Sequence, residues 1–343
     1  MFLHALATAV PAPSFTPPQC WAIVERSGVR SRLSRRAMLT LHSILRSDHG
    51  IATRHFAVGD VDHLFNLGAD ELNREFRRAA PALAGRALAA ALDRASLRAA
   101  DVDALLVCTC TGYLCPGLTS YIAEELGLPT DAFLQDLVGL GCGAAIPTLR
   151  AASHIAASQP AAVIACVAVE ICSAAFYLDD DPGVLISACL FADGAAASIW
   201  RGTPGPHALR AFGFDTVLRP GDRDKIRFEQ RDGKLRNLLH RSVPELAASA
   251  VNTLWQRRGA RPVARVVAHP GGRDVLEALA PVFAPHSLTA SAEVLRAYGN
   301  MSSPSVLFAL ERTLRDGNPT ATGDFWLTSF GAGFSAHSCR IGL

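Results

Sequence analysis

Aliphatic runs of strand length alternate with helix-length stretches along the whole chain, and that alternation leaves few architectures open. The strand-like runs are HALATAV (4–10), DALLVCTC (103–110), AAVIACVAV (161–169), AAASIW (195–200), ALRAFGF (208–214), ARVVAH (264–269) and DFWLTSF (324–330), the last continuing past a glycine break into SAHSCRIG (335–342). Helical stretches lie between them at 69–95, 118–127, 243–259, 272–283 and 303–317. Elements in this order bury sheets under helices, so an α/β protein with covered sheets is expected. A Pro/Gly cluster after a strand, RGTPGPHA (201–208), marks the expected seam between an N-terminal half (1–205) and a C-terminal half (206–343). No repeat between the halves is visible in the sequence.

Composition narrows the function classes. The 33 basic and 31 acidic residues are dispersed, with no block of like charge, which argues against a nucleic-acid partner. No apolar run approaches the ~20 residues of a membrane span. The start, MFLHALATAVPAPS, lacks the basic flank and long apolar stretch of a leader and reads as a first strand ending at Pro11. Nine cysteines, an odd number without an export signal, imply reduced thiols and a cytoplasmic chain. The cluster CTCTGYLC (108–115) has no second Cys or His pair at structural-zinc spacing, so its thiols are read as structural or pocket-lining, with no metal.

Three polar residues carry candidate chemistry. In LVGLGCGAAIPTLR (137–150), Cys142 follows an apolar run and precedes a helix with Pro147 near its first turn. A thiol there meets free backbone N–H groups and the positive end of a helix dipole, which favour the thiolate. Gly141 and Gly143 would let another backbone or a thioester approach closely. In VVAHPGGRDVLEAL, His269 ends a strand just before a Pro-Gly-Gly turn, where α/β folds place reactive groups. In RAYGNMSSPSVLFALERTL, Ser303 can cap a helix that Pro304 starts, leaving Asn300 on the preceding loop with a carboxamide able to donate to an oxyanion. Each alone also has a plain structural reading: a small hydrophobe in a turn, a satisfied imidazole, an asparagine in a loop.

Taken together, GCGAA, AHPGG, YGNMSS and the terminal SFGAGF resemble the type III polyketide synthases, the chalcone-synthase-like branch of the thiolase-fold condensing enzymes. There are 127 positions from Cys142 to His269 and 31 more to Asn300, and the likeness runs from GIATRHFAV (50–58) through CTGYLCPG (110–117) and LFADGAA (190–196) to Gly333. The resemblance implies a five-layered αβαβα fold built from two similar halves, a homodimer, and coenzyme A thioesters as substrates with no cofactor. Cys142 would accept the starter acyl group from an acyl-CoA. His269, as imidazolium, would pair with the thiolate, and with Asn300 it would bind the thioester carbonyl of malonyl-CoA during decarboxylative condensation. Cyclisation to a pyrone, resorcinol or phloroglucinol-type product would follow.

The pocket departs from the plant chalcone-forming pattern. Phe191 matches a gating phenylalanine, while the place of the second gating aromatic falls at Asn237. Ala175 stands where threonine is usual, Phe228 where glycine is usual, and Ser302 is retained. Cys115 stands where the family reaches across the dimer into the partner's cavity. Arg46, His49 and Arg54 occupy the region of the coenzyme A phosphate contacts, with Gly271 and Gly272 in the same binding set. Asn237 and Ala175 point to an aliphatic starter and an alkylpyrone or alkylresorcinol product. Two other readings compete: a ketoacyl synthase III-like enzyme fed by acyl carrier protein, and a catalytically silent thiolase-fold binding partner. The first usually shows His-Gln-Ala-Asn where this chain has His269-Pro270-Gly271-Gly272, and retention of all three reactive residues argues against the second.

Overall fold

The computed structural model describes residues 1–317 and 323–343. In the first half the order is β1 (Phe2–Ala9), β2 (Ser14–Phe15), α1 (Pro17–Arg26), α2 (Arg35–Arg46), β3 (Arg54–His55), α3 (Ala69–Arg94), β4 (Ala104–Thr109), α4 (Leu118–Leu126), β5 (Phe133–Val138), α5 (Ala145–Ser158), β6 (Ile164–Glu170), α6 (Pro182–Leu190) and β7 (Gly194–Arg201). The second half continues with β8 (Arg210–Leu218), β9 (Ile226–Arg231), β10 (Lys234–Leu239), α7 (Val243–Gln256), β11 (Val263–Ala268), α8 (Arg273–Phe283), α9 (Thr289–Tyr298), α10 (Ser305–Arg315), β12 (Asp324–Gly331) and β13 (Ser335–Gly342). Every strand expected from the sequence forms. The β9–β10 hairpin and β5 were not anticipated, because their charged and mixed faces lack the aliphatic run that marks a strand buried on both sides.

The sheet order β5-β4-β6-β7-β1 continues as β8-β13-β12-β11. β1 is antiparallel to β7, β7 to β6, and β6 is parallel to β4. β8 is antiparallel to β13, β13 to β12, and β12 is parallel to β11. The second half therefore repeats the first, although no repeat shows in the sequence. Few ladder bonds join the two half-sheets: Phe2 registers with Arg210, Leu3 N–H donates to Leu209 O at 2.7 Å, and Ala211 N–H to Met1 O at 2.9 Å.

Three buried clusters define the layers. One packs α3 onto β1, β6 and β7; another packs α7 and α8 under β11 and β12. The central one places α5 and α10 between the two half-sheets, and both helices touch strands of each half. This is the five-layered αβαβα arrangement. Its centre is filled by small residues, Ala145, Ala152 and Ala156 from α5, Ala144 just before it and Ala309 from α10, which let helix backbones sit close to the strands. Among the described residues no helix is long and apolar enough to cross a membrane.

Candidate active site

The internal repeat places the reactive groups. α5 and α10 are equivalent helices in the buried middle layer, and Cys142 and Asn300 lie on the loops that feed them. His269 directly follows β11, and its counterpart after β4 is Cys110. Cys142, His269 and Asn300 line one cavity of about 330 Å3, with Phe191 and Phe330. The site is thus built by convergence of both halves.

Cys142 lies on a single turn of 3-10 helix, Gly141–Gly143, just before α5. Gly141 has φ +56°, and a Cβ on Gly331 of β12 would lie 2.6 Å from Gly143 N and Leu140 O and 2.9 Å from Cys142 N. The close backbone approach expected from the glycines is real, and its partner is the SFGAGF segment. Ser329 also donates to Gly143 O at 3.0 Å.

His269 is 1% exposed, and neither ring nitrogen has a hydrogen-bond partner. Phe330 fixes the ring edge-on, with centroids 5.3 Å apart. The Asn300 carboxamide is oriented by two bonds: its Oδ1 accepts from Ser302 N–H at 2.8 Å, and its Nδ2 donates to Gly271 O at 3.0 Å. One N–H of the amide remains available. Ser302 pays with φ +60°, an uncommon conformation for a side-chain-bearing residue and of the kind that gathers at functional sites. Ser303 does not cap α10 as expected; its hydroxyl donates to buried Glu170 at 2.6 Å instead. Glu170 also collects the Thr109, Cys110 and Thr111 donors, so an unpaired carboxylate, costlier to leave than a helix end, wins the serine.

Burial sets the charges. Desolvation pushes the Cys142 thiol up to about 12, against a pull from the Ser302 hydroxyl, and the Glu170 charge adds to the rise. Desolvation alone lowers His269 to about 3. The helix end by itself therefore does not make the thiolate expected from the sequence. Each charge is disfavoured singly, so a thiolate here calls for a neighbouring group that takes the proton, and His269 lines the same cavity.

On the other side of Cys142 is a chamber of about 40 Å3 lined by Ala175, Phe191, Phe228, Asn237 and Ser302, all five anticipated as pocket residues. Phe191 and Cys142 line both cavities. Asn237 of β10 and Phe228 of β9 are directly paired across the hairpin. Beyond Phe228 lies a larger cavity of about 720 Å3. Cys110, read from the sequence as a structural or pocket-lining thiol, also lines the small chamber, as do Cys172 and Phe176, which were missed; Glu170, at the end of an otherwise apolar strand, was the sequence signal for this buried polar centre.

The coenzyme A residues divide. His49, Gly271 and Gly272 line the 330 Å3 cavity, together with His240, Arg241 and Arg273, which were not anticipated. Arg46 is exposed at the end of α2 and does not line it. Arg54 is a correction: it is 3% exposed and donates to Ala188 O at 2.7 Å and Phe191 O at 3.0 Å. Its guanidinium caps the C-terminal end of α6 and so holds the segment carrying Phe191, and it is not free for phosphate. Cys115 is exposed and lines neither cavity beside Cys142 in its own protomer.

A buried cysteine at a helix start, facing a histidine and an asparagine from the twin half on an αβαβα frame, defines a thiolase-fold condensing enzyme. The comparisons with known proteins specify the branch. A family model for FAE1/Type III polyketide synthase-like protein matches residues 62–219, and the chalcone and stilbene synthases, C-terminal domain, matches residues 219–338. The 1,3,6,8-tetrahydroxynaphthalene synthase of Streptomyces coelicolor is 30% identical over 315 residues, covering 90% of this chain and 84% of its own. A 3,5-dihydroxyphenylacetyl-CoA synthase of Amycolatopsis balhimycina is 31% identical, covering 70% and 67%. The crystal structure of the Streptomyces coelicolor tetrahydroxynaphthalene synthase superposes with a TM-score of 0.85 at 27% identity, over 100% of this chain and 99% of that one. The chain belongs to the type III polyketide synthases.

Proposed function

We propose that this polyketide synthase loads an acyl-CoA starter on Cys142, extends it with malonyl-CoA and cyclises the product. The observation that carries the reading is the convergence of Cys142, unpartnered His269 and oriented Asn300 on one cavity. Cys142 sulfur attacks the starter thioester while its proton passes to His269, which hands it to the departing coenzyme A sulfur so that coenzyme A leaves as the thiol. Malonyl-CoA then loses its carboxylate as CO2, and the electron pair left behind forms an enolate. Its oxyanion accepts N–H bonds from Asn300 and His269. The enolate carbon attacks the Cys142 thioester, and the sulfur leaves with the bonding pair. The scheme calls on no metal or redox cofactor, because CO2 loss supplies the carbanion. His49, His240, Arg241 and Arg273 form a basic rim suited to the coenzyme A phosphates.

The 40 Å3 chamber has room for about three waters, less than an extended acyl chain needs. Phe228 lines both this chamber and the 720 Å3 cavity, as do Gly141, Ile226 and Arg227. With a panel of aliphatic and aromatic starter CoAs plus malonyl-CoA, and no carrier protein, mass spectrometry should show extended products, with the aliphatic starters preferred. Phe228→Ala should shift the products to longer chains, by about tenfold in the long-to-short ratio. A requirement for acyl carrier protein would defeat the coenzyme A reading, and extension of aromatic starters alone would defeat the aliphatic one.

Edge strand β5 supports the homodimer. Phe133, Leu134 and Val138 are 53%, 39% and 53% exposed beside an unpaired strand edge, a surface that soluble chains cover. A second copy across this edge would also bring its Cys115 loop towards the cavities. Light scattering should give twice the 36.4 kDa chain mass, falling to one chain for Val138→Asp. A monomeric parent at micromolar concentration would rule the dimer out.

A further inference from the structure

Both walls of the small chamber are tied together from outside it by arginines of the β9–β10 hairpin, chiefly Arg236, with Arg231 Nη1 3.7 Å from Asp179 Oδ2 as a longer second contact. Arg236 lies on β10 between cavity-lining Asn237 and the hairpin turn, with its side chain 11% exposed. Its Nε donates to Asp179 Oδ2 at 2.7 Å, its Nη1 to Glu229 Oε1 at 2.8 Å, and its Nη2 lies 3.5 Å from Asp181 Oδ2. Glu229 is its cross-strand partner on β9, next to Phe228. Asp181 caps α6, accepting from Gly183 N–H at 2.8 Å and Val184 N–H at 3.4 Å. Asp179 in turn accepts from Asp181 N–H at 2.9 Å.

The contact between hairpin and helix is close: a Cβ on Gly183 would lie 2.4 Å from Leu239 O. α6 carries Ser187 on the chamber wall and delivers Phe191 at its end, while the hairpin carries Phe228 and Asn237. The Arg236 fork, with Arg231 as a longer second tie, thus links the two elements that line the chamber. A planar fork with three carboxylates around it resists sliding in a way a single ion pair does not. Arg236 itself lines neither the chamber nor the 330 Å3 cavity.

We propose that Arg236 is a positioning residue that sets the width of the acyl chamber, and through it how many malonyl units are added before release. This rests on the function proposed above. The inference separates two steps. Loading places a short group at Cys142 and does not depend on the far wall; extension does.

The test compares the parent with Arg236→Ala, Arg236→Lys and Asp179→Asn, reading single-turnover acylation of Cys142 by intact mass and the ratio of products by number of extensions. Arg236→Ala should load within about twofold of the parent, as for uncoupled sites. Its product ratio should shift by about tenfold, the discrimination that roughly a methylene of room gives an apolar pocket. Arg236→Lys, keeping the charge without the fork, should fall between. An unchanged ratio in folded Arg236→Ala, or an equal loss in loading and extension, overturns the proposal. If Arg236→Ala does not fold, Asp179→Asn removes one arm, and an unchanged ratio there overturns it equally. A parent that acquires no acyl adduct on Cys142 defeats the proposed function itself, a result distinct from any change confined to the Arg236 variants.

Discussion

Replacing Cys142 by alanine should abolish acyl loading and polyketide formation together. The parent, incubated with a starter CoA, should gain the mass of one acyl group, mapped by peptide digestion to Cys142; Cys142→Ala should gain none. Turnover should fall on the order of 10^4-fold or more, the scale seen when a covalent nucleophile is removed. The other thiols around the chamber do not substitute. Desolvation and the Glu170 charge hold Cys110 and Cys172 well above the ordinary thiol range, and neither lines the cavity that His269 shares with Cys142. The fold should survive, because a Cys→Ala change at a site 5% exposed removes one sulfur and leaves the Gly141 to Gly143 turn and its packing on Gly331 untouched. An adduct of equal yield in Cys142→Ala would overturn the assignment of the nucleophile.

His269→Ala should have the second largest effect, and its signature is in the pH profile. With His269 present, the nucleophile is made by proton transfer within the pair, so alkylation of Cys142 by iodoacetamide should be nearly flat between the pair's two apparent pKa values. Without it, Cys142 is a lone buried thiol pushed up to about 12. A thiol raised in this way is protonated below that pH, so the alkylation rate should climb about tenfold per unit from neutrality upward. At pH 7 it should be lower than the parent's by on the order of 10^2 to 10^4. The sign is fixed by the direction of the shift: raising the pH restores the variant, and lowering it does not. An alkylation rate at pH 7 unchanged by His269→Ala would show that the helix end and Ser302 suffice to ionise the cysteine, and would remove His269 from that role.

Much of the architecture could be read from the chain. β4, β6 and β7 announce themselves because strands buried on both faces are largely apolar, β11, β12 and β13 because aliphatic or aromatic residues recur through them despite Arg265, Ser329, His337 and Arg340, and the helices between them because their burial is periodic. The three candidate residues, Cys142, His269 and Asn300, each sit where an element ends against glycine or proline, and the set was legible through the resemblance of its motifs to a known family. The misreadings share a cause as well. Arg54 looks like a phosphate ligand because an arginine near a binding region usually is exposed; only the packing of β3 against the end of α6 turns it inward to cap a helix. Ser303 reads as a cap until Glu170, 133 positions away, claims its hydroxyl.

The sequence by itself determined the αβ alternation and most of the strands, which follow from local apolar pattern, while Cys142, His269 and Asn300 were picked out as candidates by the resemblance of their motifs to a known family. The tertiary structure alone decided that the two halves repeat one another and that Cys142 and His269 share a buried cavity where desolvation disfavours the charged form of each. It also decided that the chamber wall is set by a charged hairpin tied through Arg236 to α6. The physical reason is that desolvation and ion pairing act between groups far apart in the chain, and no window of residues carries the distance between them.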